Sequence, residues 1–282
     1  MRKSTLFVFL GAAMFALGGL FFKLVPWDAL AIGSARSVLA AVCIFLFLLR
    51  RKHHFVLNKT VLAAAVSIAC TNTLYALANK LTTAGNAIVL EYAMPVFAII
   101  IMLVFYKKKP TKGELATCFF VILGILCFFV DSISAGNALG NLLALLSGVS
   151  YACYFIFNSR EESDPFTAIL IAYGISLVIG LPSLLRTDVA GSPLPVLLAV
   201  AGLGILQQGA GHIFLSLGIK DTPPVTASLI SGIEPILNPI LVAVFYHELL
   251  TPISLLGAAI VLISITVFNC MTGKEKAPTN PI

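Results

Sequence analysis

Three charged side chains lie inside long apolar runs of the sequence: Arg36, Glu91 and Glu234. A charge placed deep in an apolar phase costs about 2.5–3.5 kcal/mol on insertion scales, so each of these groups needs a partner or a polar cavity. Such side chains can hold a charged ligand, and carboxyl groups in such places can also relay protons. These three residues are therefore the first candidates for a functional role.

Arg36 and Glu91 are predicted to lie at the same depth. Arg36 comes eight residues after Asp28 and Glu91 eight residues after Thr83, the residues at which their helices are predicted to begin. A helix rises about 1.5 Å per residue, so both side chains lie about 12 Å from the same boundary. The matched depth leaves two alternatives open: a structural ion pair, or a joint role in binding a substrate.

Glu234 lies near the middle of its apolar run and directly precedes Pro235. A proline removes one backbone hydrogen bond and bends the helix, and Pro95 occupies a similar place in an earlier run. Pro95 and Pro235 are therefore predicted helix kinks. Glu234 itself is either a structural carboxyl group bonded to a neighbouring helix or a group with a gating or proton-coupling role.

Polar residues recur at helical spacing in four of the apolar runs, which places them on single faces of helices. Small residues at this spacing often form simple packing faces, but these stripes contain larger polar and aromatic groups. We interpret them as the lining of a shared substrate cavity. The alternative for His212 alone is an interior histidine with satisfied hydrogen bonds. The predicted cavity residues are Arg36, Asn72, Tyr75, Asn79, Glu91, Tyr151, Tyr154, Gln208, His212, Ser231, Glu234 and Asn238.

The elements that position these residues are predicted membrane-spanning helices. Hydrophobic residues make up 59% of the 282 residues and charged residues only 11%, with a mean hydropathy of +1.03. Soluble domains contain about 25% charged residues, so most of this surface must face lipid. The fold class is an all-α polytopic membrane protein with ten transmembrane helices. The predicted spans are Thr5–Leu24, Asp28–Leu49, Thr60–Asn79, Thr83–Phe105, Gly113–Val130, Asn137–Phe157, Pro165–Leu185, Pro195–Ile219, Thr222–Tyr246 and Pro252–Cys270.

The distribution of positive charge predicts the orientation. Of the eighteen Lys and Arg residues, Lys23, Lys80 and Arg186 fall on one side and Arg36 inside a helix, which leaves fourteen on the side of the N-terminus. Positive residues concentrate on the cytoplasmic side, so both termini are predicted to be cytoplasmic. Because the basic residues form short clusters between apolar runs, they indicate topology rather than nucleic-acid binding. We expect a multi-pass protein of the cell membrane.

An internal repeat divides the chain into two halves. Lys80–Thr111 aligns with Lys220–Thr251 at a constant shift of 140 residues, and Pro95 then meets Pro235. With five helices in each half, the second half must insert upside down. The predicted domains are residues 1–132 and 133–271, followed by a cytoplasmic tail, 272–282. Inverted repeats are typical of secondary transporters that hold their substrate near the membrane midplane.

The same residues carry a family resemblance. Glu234-Pro235, the run Phe245-Tyr246-His247-Glu248-Leu249-Leu250-Thr251 and Gly257-Ala258-Ala259-Ile260 resemble the ninth-to-tenth helix signature of the EamA family in the drug/metabolite transporter superfamily. Pro95 and Arg36 also fit that family, whereas Lys107–Lys109 depart from its pattern. The resemblance covers the whole chain. It implies a ten-helix transporter of small metabolites, commonly an exporter of amino acids or related compounds.

Two other functions are weighed against amino-acid export. Efflux of organic cations or drugs is favoured by the two membrane carboxyl groups and by aromatic residues near them. An intramembrane enzyme would need a nucleophile with a base, and His212 is the only histidine inside a predicted span. The sequence has no G-x-S-x-G motif, and its six cysteines show no metal or disulfide spacing. We therefore expect a transporter rather than an enzyme, with no cofactor and no metal, and with proton coupling as a candidate energy source.

Overall fold

The structure, a computed structural model, describes residues 3–107, 109–135, 138–223, 227–228, 230–246 and 251–272. These residues contain helices and no strand. The predicted positions His247 and Glu248 and the tail beyond Thr272 lie outside the described residues. The α-helices are α1 Lys3–Phe15, α2 Gly18–Leu24, α3 Ala29–Arg51, α4 Lys59–Leu81, α5 Ala84–Glu91, α6 Met94–Tyr106, α7 Lys112–Ala135, α8 Ala138–Asn158, α9 Pro165–Leu185, α10 Leu194–Ala201, α11 Gly211–Ile219, α12 Glu234–Tyr246 and α13 Pro252–Thr272.

The all-helical membrane class is confirmed. Within the described residues, seven segments are long and apolar enough to cross a bilayer. Large apolar side chains also cover much of the surface: Val178, Leu185 and Phe105 are 71%, 77% and 76% exposed. Soluble proteins rarely expose apolar surface on this scale, so this surface faces lipid. The count of ten spans and the cytoplasmic termini stay predictions. The seven segments are Lys3–Leu24, Ala29–Arg51, Lys59–Leu81, Asn86–Tyr106, Ala138–Asn158, Pro165–Leu185 and Leu194–Ile219.

The fourth and ninth predicted spans are broken helices rather than continuous ones. Helix α5 ends at Glu91 and α6 begins at Met94, directly before Pro95. In the ninth span a 3₁₀ turn, Ser231–Ile233, directly precedes α12 and Pro235. Proline has no backbone N–H to donate to the carbonyl four residues earlier, so the regular ladder stops at both points. The two breaks lie at positions related by the 140-residue shift.

The first and eighth predicted spans are also irregular, and the sequence pattern predicts neither feature. The chain turns at Ala16 and Leu17, between α1 and α2, where the Leu17 amide donates to the Met14 carbonyl. Between α10 and α11, residues Gly202–Ala210 form a π-helix. The two irregular segments touch, since a Cβ on Gly18 would lie 3.3 Å from the Gln207 side chain. Short π-helical segments often occur at functional sites.

The helices pack in pairs with close backbone approaches. Helix α4 packs on α8, α1 on α11, α3 on α9, α5 on α12 and α7 on α13. A Cβ on Gly148 would lie 2.6 Å from the Glu91 carbonyl oxygen, and one on Gly180 would lie 2.2 Å from the Leu30 carbonyl oxygen. Only glycine permits these contacts, which are typical of membrane helix interfaces. The Gly148 contact holds α8 against the end of α5, where Glu91 enters the interior.

Candidate functional site

A polar cavity lies at the centre of the helices. Its walls come from the first, second, third, fourth, sixth, eighth and ninth predicted spans. The cavity volume is about 30 Å³, which holds about two water molecules at roughly 10–15 Å³ each. In this conformation the cavity is too small to hold a metabolite. The lining residues are Phe15, Arg36, Ile68, Thr71, Asn72, Tyr75, Glu91, Tyr151, Gln207, Gln208, His212 and Glu234.

Arg36 is a buried cation with unused hydrogen-bond donors. Its side chain is 1% exposed, and Nη2 donates to the Asn72 carbonyl oxygen at 3.2 Å. The guanidinium also lies 4.9 Å from the centre of the Phe22 ring. Its Nε and Nη1 atoms have no partner among the described residues. Arginine always carries its charge, so these two nitrogens are donors ready for an acceptor in the cavity.

The structural ion pair considered between Arg36 and Glu91 does not form in this conformation, so that alternative is wrong for it. No ion pair within 4.0 Å joins Arg36 to any carboxylate of the described residues, although both side chains line the same cavity. Arg36 and Glu91 do line one cavity, as the cavity prediction had it. Depth along the membrane normal does not fix which groups each side chain reaches: Arg36 bonds to the Asn72 carbonyl oxygen and Glu91 to the Ser147 hydroxyl.

Glu91 is held by the sixth predicted span. The Ser147 hydroxyl donates to Glu91 Oε2 at 2.5 Å, and it lies 2.9 Å from the Ala144 carbonyl oxygen. Ser147 is fully buried and Glu91 is 4% exposed. Because α5 ends at Glu91 and Gly148 lets α8 approach, the carboxyl group reaches Ser147 across the helix interface.

Glu234 is held by the fourth predicted span. The Tyr92 hydroxyl donates to Glu234 Oε2 at 2.7 Å, and both side chains are buried. Glu91 and Tyr92 are adjacent at the break between α5 and α6, yet they bond to different helices. The break therefore lets one short segment contact both the sixth and the ninth spans.

A hydrogen-bonded cluster joins three of the lining residues, Asn72, Gln208 and His212, to Tyr173. The Tyr173 hydroxyl lies 2.8 Å from Gln208 Oε1 and 2.8 Å from His212 Nδ1. Gln208 Nε2 donates to Asn72 Oδ1 at 3.1 Å. Tyr173 belongs to the seventh predicted span, which was not among the spans predicted to line the cavity. His212 has a bonded Nδ1 atom, whereas its Nε2 atom has no partner among the described residues.

The structure brings most of the predicted cavity residues together. Those that line the cavity are Arg36, Asn72, Tyr75, Glu91, Tyr151, Gln208, His212 and Glu234.

The other four predicted residues are buried but do not line it. The Ser231 hydroxyl donates to the Ala227 carbonyl oxygen, and Asn238 packs so closely on Gly19 that a Cβ there would lie 2.4 Å from its Oδ1. Asn79 is 4% exposed, and Tyr154 lies behind Tyr151 with a ring separation of 6.2 Å.

Four lining residues were missed by the sequence analysis: Phe15, Ile68, Thr71 and Gln207. Thr71 precedes Asn72 and shares its helix, so a wider stripe would have included it. Gln207 lies beside Gln208 in the π-helix, where a regular helical spacing does not apply. Phe15 and Ile68 are apolar, and no polar pattern distinguishes them from ordinary core residues.

No group of three or more His, Cys, Asp or Glu side chains that could hold a metal occurs in the part of the chain that the structure describes.

These features define a multi-pass α-helical membrane protein with a buried polar cavity at its centre. The sequence model of the EamA-like transporter family matches residues 2–130 and again residues 138–270. The chain therefore belongs to the EamA-like transporter family, within the drug/metabolite transporter superfamily. It is a multi-pass transporter of small molecules in the cell membrane.

Similar proteins agree with this membership. A Bacillus subtilis (strain 168) protein named uncharacterized transporter YwfM is 26% identical to this chain, over 96% of this chain and 95% of its own length. An uncharacterized transporter of Archaeoglobus fulgidus is 24% identical over 95% of this chain and 96% of its own length. A solved crystal structure shares the fold with a TM-score of 0.75 at 14% identity, covering 96% of this chain and 99% of the other.

Proposed function

We propose that this protein is a secondary active transporter that exports an amino acid or a related small metabolite. Residues 1–132 and 133–271 would form two inverted halves that open the central cavity to one side of the membrane at a time. The observation that carries the proposal is Arg36, a buried cation in the cavity with two unpaired nitrogens. A substrate carboxylate would accept two charge-assisted hydrogen bonds from such a guanidinium.

The helix contacts support the two-half arrangement. The third predicted span packs on the sixth through α4 and α8, and the eighth packs on the first through α11 and α1. The second and seventh spans pack on each other, as do the fifth and tenth and the fourth and ninth. Exchanging the two five-helix halves turns the 3–6 pair into the 8–1 pair and leaves each of the other three pairs unchanged, so the set as a whole is preserved. Such a pattern is expected when two related halves pack about a pseudo-two-fold axis.

Glu91 and Glu234 supply the second recognition element. Both carboxyl groups line the same cavity as Arg36, so the site contains one cation and two acidic groups. An amino acid has a carboxylate for the guanidinium and an ammonium group for a carboxylate. Glu234, in the broken ninth span, is also our candidate for proton coupling, because a carboxyl group that faces each compartment in turn can carry a proton across.

Efflux of organic cations is the second candidate. The aromatic rings of Tyr75 and Tyr151 line the cavity beside the two carboxyl groups, and aromatic faces attract cations. Arg36 opposes this function, because it places a fixed positive charge in the same small space.

Transport of labelled solutes into proteoliposomes distinguishes these functions. Vesicles loaded with one unlabelled solute are offered the same solute in labelled form, from a panel of amino acids, simple carboxylates, simple amines and quaternary ammonium compounds. We expect accumulation of solutes that carry a carboxylate. Accumulation of quaternary ammonium compounds alone would establish the second candidate and refute the first.

A further inference from the structure

A second, larger pocket opens at one end of the helices. Its volume is about 610 Å³, within the range of about 300–1,000 Å³ that is usual for small-molecule sites. Arg51, at the end of α3, and Lys220, after α11, are both exposed and line it, so the pocket opens to the surface. The count of Lys and Arg residues predicts that this end faces the cytoplasm. We refer to it as the cytoplasmic pocket.

One face of the eighth predicted span lines both the cytoplasmic pocket and the central cavity. Gln208, His212, Ser216 and Lys220 recur every four residues, so they lie along one side of this span. The first two line the central cavity, and the last two line the cytoplasmic pocket. Four residues of helix rise about 6 Å, so roughly one turn separates the two spaces along this face.

Tyr154 lies between the central cavity and the cytoplasmic pocket. Its side chain is fully buried, and its ring lies 6.2 Å from that of Tyr151, which lines the central cavity. Its hydroxyl faces that of Ser216, which lines the cytoplasmic pocket. One turn further along α8, Asn158 accepts a hydrogen bond from Ser163, another residue of the cytoplasmic pocket. The stripe on α8 thus extends from one space to the other.

Three polar atoms along this interval lack a hydrogen bond of regular geometry among the described residues: His212 Nε2, and Tyr154 OH and Ser216 Oγ, which face each other. All three side chains are at least nine-tenths buried. Buried polar atoms in proteins are nearly always hydrogen-bonded, so three such atoms in one row need an explanation. A path along which polar molecules pass in another conformation supplies it, because those molecules would bond to the same atoms.

We infer that the cytoplasmic pocket is a loading site for a small zwitterionic metabolite, which reaches the central cavity past Ser216 when the Tyr154 ring moves aside. The wall of the pocket carries exposed groups of both signs, the basic Arg51 and Lys220 and the acidic Glu161 and Glu162, which suits a zwitterion. The inference rests on the proposed function for its substrate class. Its geometry is tested without any transport measurement.

The test uses thiol accessibility in a full-length variant whose six cysteines are replaced by serine. Ser216→Cys and His212→Cys are introduced singly, and a membrane-impermeant thiol reagent is applied to inverted and to right-side-out membrane vesicles. We expect modification of Ser216→Cys from the cytoplasmic face only. His212→Cys should react at least tenfold more slowly, and adding Tyr154→Ala should remove most of that difference.

Tyr154→Phe is the matched control, because it keeps the ring and removes only the hydroxyl. It should leave His212→Cys slow to react. The loading role is measured separately: millimolar L-leucine or L-serine on the cytoplasmic face should slow the modification of Ser216→Cys.

Three outcomes would overturn the inference. They are modification of Ser216→Cys from the outer face only, the same His212→Cys rate with and without Tyr154→Ala, and no protection by either amino acid. The first two do not depend on transport, so they distinguish failure of this path from failure of the proposed function.

Discussion

Replacing Arg36 by methionine separates a substrate-binding role from a structural one. In the structure the guanidinium makes one hydrogen bond, to the Asn72 carbonyl, and one ring contact, with Phe22. The hydrogen bond contributes about 1.5–3 kcal/mol and the ring contact about 0.5–2 kcal/mol. Burying an ion costs several kcal/mol, and no carboxylate of the described residues lies within 4.0 Å of the guanidinium to form an ion pair with it. The free energy gained from the two contacts of Arg36 therefore nearly cancels the cost of burying its charge.

We therefore expect Arg36→Met to change the free energy of unfolding by less than about 2 kcal/mol. Substrate binding should respond differently. A carboxylate that accepts two charge-assisted hydrogen bonds from Arg36 would lose about 3–6 kcal/mol, which lowers affinity by more than about 100-fold. Thermal unfolding in detergent and equilibrium binding of the solute identified in the proteoliposome panel measure the two effects on one preparation.

Two further variants make the experiment decisive. Arg186→Met removes an exposed arginine and should change neither quantity. Combining Arg36→Met with Glu91→Gln should depart from the sum of the single changes by well under the about 3–5 kcal/mol that breaking a buried ion pair costs, because the two side chains share a cavity but form no ion pair. A loss of several kcal/mol in Arg36→Met with binding intact would refute the reasoning and restore a structural role.

Three other predictions follow from the site and the topology. Glu234→Gln keeps the size and hydrogen bonding of the side chain but removes its titration, so pH-driven transport should be lost while solute exchange continues; full pH-driven transport would exclude the coupling role. Gly148→Ala places a methyl group 2.6 Å from the Glu91 carbonyl oxygen and should lower stability by about 1–3 kcal/mol in thermal unfolding, whereas Gly174→Ala, which meets nothing within 4 Å, should not. A reporter active only in the cytoplasm should work when inserted within residues 107–112, and a silent reporter there would reverse the predicted orientation.

Much of the site was predictable because helical periodicity acts over short stretches of sequence. Gln208 and His212 are four residues apart, so any helical conformation places them close to one face, and both line the cavity. Glu91 and Glu234 were found because a carboxyl group inside an apolar run is costly without a polar environment. These inferences need only the identity of each residue and its spacing.

The remaining features depend on contacts between distant segments. The turn at Leu17 contains no proline, and it packs where Gly18 meets Gln207 of the π-helix. Neither irregular segment is visible in a local pattern, because the contact between them joins residues about 190 positions apart in the chain. The ion pair between Arg36 and Glu91 was wrong for a related reason. The sequence gives the depth of Arg36, but the groups that its side chain reaches depend on how α3 packs against its neighbours.

The hydrogen bonds of the two acidic groups suggest how a ligand could drive the proposed conformational change. Glu91 bonds to Ser147, and Tyr92 bonds to Glu234, so both bonds join residues 1–132 to residues 133–271. The 140-residue shift pairs Glu91 with Ser231 and Glu234 with Met94, so the two carboxyl groups occupy non-equivalent positions. A rotation of one half against the other must stretch or exchange both bonds. A ligand shifts a conformational equilibrium only if it binds the two states unequally. A substrate ammonium or a proton on either carboxyl group would compete with these bonds, and would therefore favour the conformation in which they are broken.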